Sequence, residues 1–82
     1  MYEIIEQKEI LHEAFSELIA SLDRLLMRNN ENRELMSLKA EAVQVWNHIL
    51  GSECSTMEDI FVLKGKYFFL KACIDRIISY EG

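Results

Sequence analysis

The residues best placed to do chemistry are Glu9 and His12, two cysteines, and a Lys-Gly-Lys triplet. Glu9-x-x-His12 puts a carboxylate and an imidazole on one helix face, the spacing used by di-iron four-helix proteins. Such a centre needs a second pair and two further glutamates on facing helices. The other histidine, His48, has Val45 at the matching position, and Glu41 alone cannot supply the rest. His12 is in register with Ile5 and Ile19, which predicts a boundary histidine with one ring nitrogen toward solvent. No metal site is expected.

Nucleophilic catalysis requires an activated thiol or hydroxyl, a base and an orienting group. Cys73 falls in an apolar stripe. Cys54 falls in a short polar connection beside Glu53, a carboxylate that would raise its thiol pKa and blunt it as a nucleophile. Both read as reduced, structural thiols. Lys64-Gly65-Lys66 lacks the earlier glycine and the following hydroxyl of a phosphate-binding Walker A loop, since Ile60 and Tyr67 occupy those places. The chain is expected to be non-enzymatic and to need no cofactor.

The elements carrying these residues are helices. There is no proline and no glycine before Gly51, so breakers are scarce. From about Glu3 to Arg28 the apolar residues Ile4, Leu11, Leu18 and Leu25 recur at heptad spacing, with Phe15 and Leu22 between and Ile5, Ile19 and Leu26 alongside. The other face carries Glu6, Glu9, Glu13, Glu17 and Asp23, with Arg24 and Arg28 where cations suit the helix dipole. A second apolar set, Leu35, Met36, Ala42, Val43, Trp46, Ile49 and Leu50, is displaced by roughly 130° from the first at 100° per residue. One straight helix could not bury both sets on one side. The chain is therefore expected to break near Asn29 to Asn32, with Asn30 or Asn32 capping a second helix that runs to about Leu50. A single continuous helix is the alternative. Trp46 is assigned to the core.

Gly51 stands where a left-handed cap would end that helix. Ser55 with Glu58 three residues on reads as a capping box, which starts a third helix running to about Tyr80. Its main stripe is Ile60, Leu63, Tyr67, Leu70, Ile74 and Ile77. Val62, Phe69, Cys73 and Tyr80 form another stripe roughly 110° away, and Phe61 and Phe68 lie farther round. A helix apolar on most sides belongs at the centre of a bundle or at an interface. Gly65, with Ala72 one heptad on, either opens a shallow groove between Phe61 and Phe68 for another helix or is a tolerated helix defect.

The string Glu58-Asp59-Ile60-Phe61-Val62-Leu63-Lys64-Gly65-Lys66-Tyr67-Phe68-Phe69-Leu70 resembles a stretch in small helical proteins of tailed bacteriophages. There an acidic helix start precedes an apolar residue, a glycine, a basic residue and an apolar residue four positions on, matched here by Leu63, Gly65, Lys66 and Leu70. The resemblance covers about a sixth of the chain and implies a non-enzymatic virion or assembly protein.

With 82 residues, half of them hydrophobic, and a net charge of −5, the composition is globular and acidic. The charge opposes phosphate backbones, so no nucleic-acid ligand is expected. The apolar runs are too short to span a bilayer and the first residues do not read as a secretory signal, so no membrane association and a cytoplasmic or virion location are expected. The fold class expected is all-α, a three-helix bundle or long helical hairpin, oligomeric or docked on a partner. The function expected is a protein–protein interaction or structural module acting with a protein partner or as a homo-oligomer. Its interface is assigned to Phe61, Val62, Gly65, Phe68, Phe69, Cys73 and Tyr80. The alternative is an acidic inhibitor or regulator of another macromolecule, presenting the carboxylates of the first helix.

Overall fold

A computed structural model describes residues 2–28, 32–51 and 54–81. Three helices account for most of them: α1 (Tyr2–Arg28), α2 (Arg33–Ile49) and α3 (Met57–Glu81). Among the described residues there is no strand, and all three helix pairs are in contact, so the chain is an all-α three-helix bundle. Lys8 reaches Gly51 and Ser16 reaches Trp46, which sets α2 antiparallel to α1. Gln7 meets Lys64 and Phe15 meets Tyr67, so α3 runs parallel to α1.

The core follows the heptad logic of α1. Leu11, Phe15, Leu18 and Leu22 are buried, and Ile4, Ile19, Leu25 and Leu26 pack at its edge. Ile5 departs from expectation and is exposed, although Ile19 and Leu26 in the same register pack against the core. On α2 the buried row is Leu35, Leu38, Ala42, Val45 and Ile49. Leu35, Ala42 and Ile49 were expected in it, but Met36 and Leu50 are exposed, and Leu38 and Val45 take the inward positions. α3 buries Ile60, Leu70, Ile74 and Ile77, with Leu63 and Tyr67 packed against them.

The connections are closed by short polar contacts. Asn32 is the N-cap of α2, its side chain accepting from the Leu35 N–H at 3.2 Å; Asn30 lies outside the described residues. The C-terminus of α2 differs from expectation, because no described glycine has positive φ and Leu50 is right-handed. The Gly51 N–H instead donates to the His48 carbonyl at 3.0 Å, tightening the last turn. The Gly51 carbonyl accepts from Lys8 at 3.2 Å and from the Cys54 N–H at 3.3 Å. The capping box of α3 sits one residue later than Ser55 and Glu58. Thr56 Oγ1 accepts from the Asp59 N–H, and Asp59 Oδ2 accepts from the N–H groups of Thr56 and Ser55, each at 3.2 Å.

Candidate interaction surface

α3 is not a central helix. The most extensive packing in the bundle joins α1 to α2, and α3 rests on the pair along one stripe. Its opposite side is therefore turned to solvent with its apolar residues in place. Phe61 and Phe68 are each 65% exposed and Phe69 is 63% exposed, values that leave most of each ring without protein contact. Val62 and Tyr80 are also exposed. At 100° per residue Phe61, Gly65, Phe68 and Ala72 form one line directly opposite the buried stripe, with Val62 and Phe69 on its flank. A Cβ built on Gly65 meets nothing within 4 Å, so the glycine answers no packing demand inside the bundle.

Lys64 and Lys71 stand on one flank of this face, with the exposed carboxylates Glu58 and Asp75 at its two ends, while Lys66 lies round toward α2. Lys64 Nζ donates to Gln7 Oε1 at 3.0 Å and lies 5.9 Å from the centroid of the Phe61 ring. Phe68 meets Tyr67 edge-to-face at 5.5 Å. Two assigned residues stand apart from the group. Cys73 is partly buried and packs against the core. Tyr80 lies near the far end of α3, in a groove shared with Asn32, Glu34, Arg76 and Ile77.

The groups that could do chemistry are placed otherwise. His12 stacks on Trp46 with ring centroids 4.6 Å apart. The Trp46 indole N–H donates to Ser16 Oγ at 2.7 Å, and that hydroxyl donates to the His12 carbonyl at 3.1 Å. Trp46 is therefore the lid of the α1–α2 seam, half-buried rather than fully in the core. Ser16 was not foreseen; the signal available was its position one turn after His12 on the edge of the α1 stripe. Among the described residues no group of three or more His, Cys, Asp or Glu is placed to hold a metal ion.

An open depression of about 370 Å³ lies between α2 and α3, lined by Glu41, His48, Cys54, Asp59, Val62 and Lys66 among others. Cys54 is buried at 3% exposure rather than held in a polar connection. Burial is the main cause that raises its thiol above the ordinary value; Lys8 opposes this and Asp59 adds to it. The carboxylate expected to act, Glu53, lies outside the described residues. A thiol kept protonated is a poor nucleophile. Asp59 is held below the usual carboxyl range by the Thr56 side chain first and then by the N–H groups of Ser55 and Thr56. Its carboxylate thus serves the helix cap.

Comparison with family models, with characterised proteins and with solved structures found no match. The surface must be read from its own chemistry. No described helix is long and apolar enough to cross a membrane. The feature that stands out is a row of aromatic rings on the outside of a folded bundle.

Proposed function

We propose that this chain is a non-enzymatic helical interaction module whose third helix offers its outward face, Phe61, Val62, Gly65, Phe68 and Phe69, to a protein partner. The observation that carries the reading is the exposure of three phenylalanines on the side of α3 opposite the core. Rings of this size bury 150–250 Å² when covered, so roughly 400 Å² of phenylalanine surface is open on this face. At about 25 cal/mol per Å², covering it is worth on the order of 10 kcal/mol before the costs of association. The bundle does not draw on that energy, because its own core is built from the opposite stripe. The likeness of residues 58–70 to small helical proteins of tailed bacteriophages fits a role in assembly.

The test is Phe69→Glu. A charge on an open face should change folding stability by less than about 0.5 kcal/mol, as surface substitutions do, while removing association through this face. Urea unfolding at low protein concentration measures the first quantity and sedimentation the second. If the substitution unfolds the chain, Phe69 is core and the reading fails.

A second reading has a specific observation in its favour: Glu6, Glu9, Glu13 and Glu17 are all exposed along α1. Such a row would suit an acidic regulator that docks on a basic surface, and binding of that kind would weaken steeply with salt.

A further inference from the structure

We infer that the occupant of the α3 face is a second copy of this chain, packed α3 on α3, antiparallel, about a two-fold axis. This rests on the reading of α3 as the interaction face and names what covers it.

The face alternates large and small along its line: Phe61, Gly65, Phe68, Ala72. All four positions are exposed, and the space over Gly65 is open. A two-fold interface must be complementary to itself, since the same patch contributes both sides. An antiparallel copy in the register that seats Phe68 over Gly65 of the second copy also seats Phe61 over its Ala72, because the two pairs share one midpoint. Two-fold symmetry repeats both contacts. Each ring then enters a gap left by a small residue, as knobs enter holes. A parallel pair would instead set ring on ring and gap on gap. In antiparallel packing like flanks meet, so Val62 and Phe69 of one copy lie against Phe69 and Val62 of the other, extending the apolar contact.

The size of the patch agrees. Covering all of the phenylalanine surface with Val62, Ala72 and the stems of the flanking lysines would bury at most about 1,200 Å² over both copies, the lower end of the range for specific, stable interfaces. The line from Phe61 to Ala72 is about 16 Å long and one helix wide, the footprint of a single helix. The opposing cost is electrostatic, because the other flank brings Lys64 and Lys71 of each copy together, with the exposed Asp75 one turn beyond Lys71 offsetting part of their charge. Lys64 is already drawn toward Gln7 of α1, and the remaining repulsion is of a kind that salt screens.

Sedimentation of the whole chain over a range of concentrations tests this, with Gly65→Leu, Phe68→Ala and the two combined. The wild type should pass from monomer to dimer, and the dimer should tighten as sodium chloride is raised. Gly65→Leu should weaken the dimer by about tenfold or more, yet leave the urea midpoint of the dilute monomer unchanged or higher, since leucine favours helix over glycine and the site is open. Combining Gly65→Leu with Phe68→Ala exchanges large for small and should restore much of the loss; in a parallel dimer it would not. A chain that stays monomeric at every concentration, a Gly65→Leu dimer as tight as the wild type, failure of the combined variant to recover, or weakening by salt would each overturn the inference. The interaction reading is judged apart from these outcomes, by whether the monomer tolerates Phe69→Glu.

Discussion

Trp46 gives its N–H to Ser16, and its ring covers His12, so one indole ties α2 to α1 by a hydrogen bond and a stack. Trp46→Phe keeps a ring but removes the donor, and should cost about 1 kcal/mol in urea unfolding; no change would mean that the bond to Ser16 contributes nothing. Asp59 makes a second prediction. Its folded carboxyl lies below the ordinary value of 3.8, so its contribution is complete above that pH and is lost as pH falls below it, through the lowered folded value. Asp59→Asn should flatten the fall in stability over this acid range, and an unaltered acid limb would show that the cap does not act through charge. The cap also shows where the sequence was ambiguous. Ser55-Thr56-Met57-Glu58-Asp59 contains two overlapping capping boxes, and Thr56 with Asp59 is the pair that forms. The burial of Cys54 had no local signal, because it depends on α2 and α3 closing over the connection.

At the scale of the element, α2 is the instructive case. Two interleaved rows on it have apolar members at heptad spacing: Leu35, Leu38, Ala42, Val45 and Ile49, and one residue on, Met36, Val43, Trp46 and Leu50. Hydrophobicity alone does not choose between them, and a reading from periodicity mixes the two. The choice is made by α1 and α3, which between them can cover only one face. Leu38→Ala should therefore cost about 2–4 kcal/mol, while Met36→Ala should stay within about 0.5 kcal/mol. Equal costs in chemical denaturation would place the inward face elsewhere. The helix break was legible because Asn32 can cap and the stripes on either side are out of phase, a conflict that a single helix cannot resolve. The end of α2 was not legible: glycine after an apolar row usually signals a left-handed cap, but here the Lys8 bond to the Gly51 carbonyl accompanies a right-handed turn. On α3 the main stripe was legible, as was the surplus of apolar residues. Which side the surplus would face followed only from α3 lying on one side of the α1–α2 pair.

The whole molecule is elongated, measuring 42 × 18 × 15 Å, with a radius of gyration of 13.5 Å. A compact chain of this length would have about 12 Å. Long, thin bundles bury less than round ones, and small chains have little to spare. The burial is also uneven, since α1 and α2 hold each other along their length and through Trp46, whereas α3 meets them on one stripe. Regions with fewer buried contacts open more readily, and opening is read by amide exchange. In dilute solution the central amides of α3 should therefore exchange faster than those of α1 around Phe15 and Leu18. If the outward face of α3 is covered by a second copy, mass action stabilises the covered state as concentration rises. Protection should then increase first in residues 60–74, where the phenylalanines lie, and much less on the outward side of α1. Hydrogen exchange followed by mass spectrometry at two concentrations separates the cases. Protection that is uniform across the three helices in dilute solution would mean that α3 is held as firmly as its neighbours. A rise confined to α1 would move the interface to the row of Glu6, Glu9, Glu13 and Glu17, and the aromatic face would then be a solvent-exposed surface without the role assigned to it.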